Sequence, residues 1–186
     1  MERNKNNQME PKIITIVGKS NSGKTTLVEK LVSGLTRKGY RIGTAKSSHC
    51  GFEIDKEGKD SRRHRQAGSV ATLMITRDQT VMVRDDHRKP KDKMTSFLGD
   101  TDLIIAEGFK GQDLPKIEIF RKAGPHATPL FMENPEQYSM QLKAVVTDAD
   151  ITAPVPVFGL EAISELIDFI EKNLIENSWH DQKNGV

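Results

Sequence analysis

Ile13-Ile14-Thr15-Ile16-Val17-Gly18-Lys19-Ser20-Asn21-Ser22-Gly23-Lys24-Thr25-Thr26-Leu27 decides the reading of this chain. A β-branched apolar run enters a glycine-bounded loop and a helical pattern leaves it, so the spacing reads as strand, loop and helix around G-x-x-x-x-G-K-[ST]. In such a loop successive backbone N–H groups curl around a β-phosphate. Glycine permits the close approach, and the following helix N-terminus favours negative charge. Gly18, Asn21, Ser22, Gly23, Lys24, Thr25 and Thr26 are therefore expected to hold nucleotide phosphates. Lys24 would reach the β- and γ-phosphates, and the Thr25 hydroxyl would ligate Mg2+. The plain alternative is a strand-turn-helix whose glycines only make the turn.

Outward from the loop, Leu27, Val28, Leu31, Val32 and Leu35 recur at helical spacing, with Gly39 as a stop. Residues 40–45 read as a second strand, and parallel pairing with the first would make a strand-loop-helix-strand unit. The order predicts an α/β fold: a mostly parallel twisted sheet with helices on both faces. Residues 70–76 and 80–84, joined by Arg77-Asp78-Gln79, suggest an added β-hairpin. Residues 85–93 read as a charged surface loop and 94–98 as a short helical piece.

Thr101-Asp102-Leu103-Ile104-Ile105-Ala106-Glu107-Gly108 has the pattern of a buried strand with an acidic residue at each end. Beside the phosphate-loop strand it would present Glu107 near Mg2+ or an attacking water, with Asp102 acting as a loop cap. Lys116-Ile117-Glu118-Ile119-Phe120-Arg121 alternates charged and apolar, as an edge strand with one wet face would. The prolines at 125, 129 and 135 mark residues 125–138 as irregular connection. Residues 142–147 form the last strand. Ile163, Leu166, Ile167, Ile170 and Leu174 give the apolar stripe of a C-terminal helix. The expected boundaries are a tail over 1–11, one nucleotide-binding domain over 12–176 and a second tail over 177–186.

Residues 46–68 are polar and leave the second strand at the edge where open α/β sheets bind ligands. Lys46, Lys59, Arg63 and Arg65 are expected to face phosphate or a partner, and Asp55 or Asp60 to help hold Mg2+; a solvated loop and charged helix is the bland reading. His49, Cys50 and His64 match no zinc spacing. Thr147-Asp148-Ala149-Asp150 has part of the [NT]-K-x-D pattern, with the lysine replaced. Asp148 or Asp150 is thus a candidate acceptor for guanine N1–H and N2–H2.

The 28 basic and 26 acidic residues nearly cancel, so the net charge of +2 gives no reason to expect nucleic acid or an anionic membrane. One cysteine excludes an intramolecular disulfide framework and suits a reducing compartment. With neither an apolar leader nor an 18-residue apolar run, the chain reads as a soluble cytoplasmic protein.

The Gly18–Thr26 loop, the block Gly58-Lys59-Asp60-Ser61-Arg62-Arg63-His64-Arg65, the block Glu107-Gly108-Phe109-Lys110 and Pro115-Lys116-Ile117-Glu118 together resemble the molybdopterin-guanine dinucleotide biosynthesis protein B (MobB) family over about residues 12 to 175. The resemblance implies a P-loop NTPase-like fold and a cytoplasmic, homodimeric GTP-binding accessory protein with weak Mg2+-dependent GTPase activity. Its implied partners are the guanylyltransferase that attaches GMP to molybdopterin and other molybdenum cofactor assembly proteins. One departure is visible: the family often has a histidine directly after the lysine that follows the second strand, whereas Lys46 is followed by Ser47 and Ser48 before His49. The residues leave three classes open. One is a GTPase or GTP-loaded adaptor in which Lys24 stabilises charge and Glu107 orients water or metal. Another is a small-molecule kinase in which Lys46, Arg63 and Arg65 grip an anionic acceptor and Glu107 or Asp55 takes its proton. The last is a structural subunit that uses no nucleotide.

Overall fold

A computed structural model describes residues 10–48, 60–138 and 140–176. The chain forms two compact units, residues 48–93 and the remainder. The larger holds six parallel strands in the order β2-β5-β1-β6-β7-β8, with β1 (Lys12–Val17), β2 (Ile42–Lys46), β5 (Leu103–Glu107), β6 (Lys116–Phe120), β7 (Leu142–Thr147) and β8 (Val157–Phe158). The expected parallel α/β sheet is present. β1 and β2, however, are not neighbours, because β5 lies between them. A 14-residue helix between two strands easily spans the extra strand width, and spacing along the chain does not say which later strand fills the gap.

The β1 run is apolar throughout because both faces of the sheet are covered. Ile14 and Ile16 pack with Leu27, Leu31 and Leu35 of α1 (Lys24–Arg37) and with Leu166, Ile167 and Ile170 of α6 (Ile163–Ile170), which continues as π-helical turns over Glu171–Glu176. Ile13 faces the other way, toward Ile104, Met94 and Leu98. Gly39 ends the α1 segment at φ +94°, with its N–H donating to Thr36 O at 2.9 Å and Tyr40 N–H to Leu35 O at 3.2 Å.

β6 differs most from its sequence pattern. It lies between β1 and β7 rather than at an edge, and both Lys116 and Glu118 are 1% exposed. Each charge is satisfied by local backbone instead of water. Lys116 Nζ donates to Gln112 O at 2.5 Å and Leu114 O at 3.0 Å, while Glu118 accepts from Leu130 N–H at 2.5 Å and Phe131 N–H at 3.0 Å. Burial raises the Glu118 carboxyl above its ordinary pKa, and the two N–H donors oppose that shift. Charged residues alternating with apolar ones are indistinguishable in sequence from a half-wet strand.

The same carboxylate explains a second correction. Residues 125–138 are not irregular throughout, because α4 (Leu130–Glu133) starts on the N–H groups Glu118 accepts, and α5 (Pro135–Tyr138) follows. Leu130, Phe131 and Tyr138 are buried against Val17, Leu142 and Val145. The prolines start these turns, which is the position where the missing N–H costs least.

In the unit spanning residues 48–93, α2 (Asp60–Gln66) carries no buried residue, and β3 (Ala71–Ile75) pairs antiparallel with β4 (Thr80–Arg84) as the expected hairpin. α3 (Pro90–Leu98), of which residues 94–98 belong to the larger unit, begins four residues before the expected helical piece, again with proline in the first turn. Arg88 and Asp86 lie 2.6 Å apart, and that hydrogen-bonded guanidinium holds the Asp86 carboxyl well below the usual range.

Glu118→Ala would leave two buried N–H groups without an acceptor, partly offset by removal of a buried charge. We expect a loss of roughly 2 to 4 kcal/mol in denaturant unfolding. Glu118→Gln keeps one acceptor and should lose less than half as much. Parent-like unfolding of the alanine variant would contradict the anchoring of α4.

Candidate functional site

β1 is central, and the chain leaves its carboxyl end through α1 toward β2 on one side, then returns to β6 on the other. Open parallel sheets form a ligand crevice where connections diverge in this way. The connecting loop is shaped by close approach. A Cβ on Gly18 would stand 2.5 Å from Ile119 O and 2.6 Å from Ser22 Oγ, so only glycine fits. Asn21 takes φ +60° and Gly23 φ +94° at the N-cap of α1. That helix has no side-chain cap and no acidic residue in its first turn, so no side chain there offsets its N-terminal partial charge. Ser22 Oγ is buried and has no hydrogen-bond partner among the described residues.

Three side chains meet beside the loop. The Thr25 hydroxyl lies 3.1 Å from both Glu107 oxygens, and Lys46 Nζ lies 3.2 Å from Glu107 Oε1. Strand register brings them together: Ile16 pairs with Glu107, and Glu107 pairs with Lys46. The sequence expectation for the placement of Glu107 at the carboxyl end of a strand beside β1 therefore matches the structure. Asp102, at the opposite end, accepts Arg41 N–H at 2.8 Å.

Lys24 lies over its own loop, donating to Lys19 O at 2.7 Å. Burial lowers its ammonium pKa, and the Lys110 and Lys46 charges push the same way while Glu107 opposes them. A half-buried cation among cations is stabilised by an arriving polyanion. Lys19 is tied instead to Glu133, whose carboxylate also accepts the Thr128 hydroxyl at 2.6 Å. That ion pair depends on α4, which is too short to show a period in the sequence. Lys110 belongs to the block after β5, where Gly108 takes φ +94° and Phe109 φ +54°.

The remaining candidates separate. Thr26 follows Thr25 in the first turn of α1. Asp148 is exposed beyond β7 and its Oδ1 accepts Lys122 N–H at 2.6 Å; Asp150 is exposed two residues on. Arg63 lies on α2 in the unit of residues 48–93, 3.7 Å from Asp60. Asp55, His49, Cys50 and Lys59 lie outside the described residues. Among the described residues no three His, Cys, Asp or Glu side chains could jointly hold a metal ion, and no helix is long and apolar enough to cross a membrane. Thr25 and Glu107 nevertheless fit Mg2+, since both offer hard oxygens at one point and a nucleotide's phosphates with water complete such a shell.

Comparison with known proteins identifies the family. The family model described as "Molybdopterin guanine dinucleotide synthesis protein B" matches residues 13–148. The molybdopterin-guanine dinucleotide biosynthesis adapter protein of Haemophilus influenzae is 32% identical over 172 residues, covering 89% of this chain and 90% of the relative. Its Escherichia coli counterpart is 30% identical over 173 residues, covering 89% and 91%. The crystal structure of Bacillus subtilis MobB superposes with a TM-score of 0.66 at 22% identity, covering 88% of this chain and 98% of that one, which shows a shared fold. With the family model spanning most of the chain and two relatives matching over nearly its whole length, the chain belongs to the MobB family, with that family's P-loop fold.

Proposed function

We propose that this chain is a GTP-binding adapter in molybdopterin-guanine dinucleotide biosynthesis, assisting the guanylyltransferase and acting with other molybdenum cofactor assembly proteins. The observation that carries the nucleotide reading is the meeting of Thr25, Glu107 and Lys46 beside a glycine-shaped loop. The names of its relatives support the pathway. The chain works in the cytoplasm, as a homodimer.

Gly18 to Thr26 cradle the phosphates, and Lys24 leaves Lys19 O to reach the β- and γ-phosphates. Thr25 and Glu107 would hold Mg2+, which would supply positive charge beside the phosphate oxygens. Slow hydrolysis would suit a GTP-loaded adapter. Glu107 already faces Thr25 and Lys46, which favours this over the kinase reading, in which it would have to accept an acceptor's proton. Arg63 and Arg65 offer a cationic surface to the partner or to its anionic ligand.

Lys24→Ala and Thr25→Ala should each weaken Mg-GTP binding by roughly 1.5 to 3 kcal/mol while the far-ultraviolet circular dichroism stays parental. Glu107→Gln should slow hydrolysis much more than it weakens GTP affinity, because it acts mainly in the transition state. Parent-like affinity and turnover in all three would contradict the site.

Reversing Arg63 and Arg65 to Glu should leave the melting temperature nearly unchanged but weaken capture of the guanylyltransferase. The control reverses Arg77 and Lys89, two exposed cations outside α2. Equal losses in both pairs would reduce the effect to net charge.

A further inference from the structure

A cavity of about 110 Å3 opens beside the start of α1, lined by Thr26, Lys30, Ile119, Arg121, Leu160 and Glu161. Neither Asp148 nor Asp150 is among its lining residues. Resting on the nucleotide reading above, the geometry points to this cavity as the seat of the nucleoside, with Glu161 and Lys30 reading the edge of a guanine base.

Direction along the sheet is the first reason. Glu107 and Lys46 stand on the β5–β2 side of β1, so the Lys46 ammonium, with any cation that Thr25 and Glu107 would hold, would favour the terminal phosphate on that side. A nucleotide threaded through the loop then carries its α-phosphate and nucleoside to the opposite side. There β6 ends at Phe120, and the turn after β8 brings Leu160 and Glu161 to α1. Thr26, in the first turn of α1, lines the near wall, and the Arg121 Cδ lies 3.7 Å from where a Cβ on Gly23 would stand.

The lining chemistry is the second reason. Ile119 and Leu160 give apolar contact for a base face, and Arg121 adds a planar cation able to stack. Lys30 Nζ and Glu161 Oε2 sit 2.9 Å apart, a donor beside a two-oxygen acceptor. Guanine presents the complement: O6 accepts from an ammonium, while N1–H and N2–H2 donate together to a carboxylate. Adenine lacks the second donor and places an acceptor at N1, so it satisfies Glu161 through one amino group only. Asp148, one of the two acceptors expected from the Thr-Asp-x-Asp turn, already receives Lys122 N–H.

The test measures Kd for Mg-GTP, Mg-ATP and Mg-XTP by displacement of a fluorescent nucleotide from the full-length chain, for the parent, Glu161→Gln and Asp150→Asn. Glu161→Gln should weaken GTP about tenfold, leave ATP within about twofold, and strengthen XTP, whose O2 accepts from the new amide. A GTP-to-ATP ratio unmoved by Glu161→Gln would overturn the assignment while leaving the phosphate site intact. So would a switch to XTP produced by Asp150→Asn instead. A parent chain that binds none of the three nucleotides would overturn this assignment and the nucleotide reading together.

Discussion

The parallel register of β5 against β1 is the constraint on which the site depends. Pairing of Ile16 with Glu107 puts a carboxylate level with the start of the phosphate loop, and the Thr25 hydroxyl meets both its oxygens at 3.1 Å. A slip of one residue would send the Glu107 side chain to the other face of the sheet. Burial on both faces prevents that slip: Leu103, Ile104, Ile105 and Ala106 are all fully buried, so every position along β5 is fixed by packing. Core and chemistry are thus one arrangement here.

β6 sets the other wall of the same loop. The Ile119 carbonyl presses so near Gly18 that no side chain fits there. Glu118, one residue earlier, organises the start of α4, and Glu133 at the end of α4 holds Lys19 of the loop. A buried carboxylate in mid-sheet is costly to desolvate. Its two backbone donors lower that cost and tie the segment after β6 to the loop after β1. Lys24 and Lys19 therefore have different partners, a carbonyl of the loop itself for one and a carboxylate from α4 for the other.

How legible these features were depends on whether their causes are local. The loop, α1 and its Gly39 stop, β5, β7, the hairpin and the α6 stripe all follow from periodicity and turn chemistry within a few residues, and the sequence reading placed them. What it misread depended on how the chain folds back on itself. Lys116 and Glu118 look solvent-facing until the backbone of residues 112–114 and 130–131 is brought to them. The four-residue helices α4 and α5 are too short to show a period, and β8 has only two residues. In the candidate site, Glu107 was legible because strand-end acids beside a phosphate loop have a chemical reason to be there. Lys30 and Glu161 were not, being 131 residues apart and ordinary as surface charges.

The central claim is that loop and strand end together form one Mg-nucleotide site. Calorimetric titration of the full-length chain with GTP, once in excess Mg2+ and once in excess chelator, tests it most directly. One saturable site per chain is predicted with Mg2+, weakened about tenfold or more by the chelator, since on the proposed reading Thr25 and Glu107 would act on the phosphates largely through the ion. Absence of binding, or equal affinity in both titrations, would contradict it.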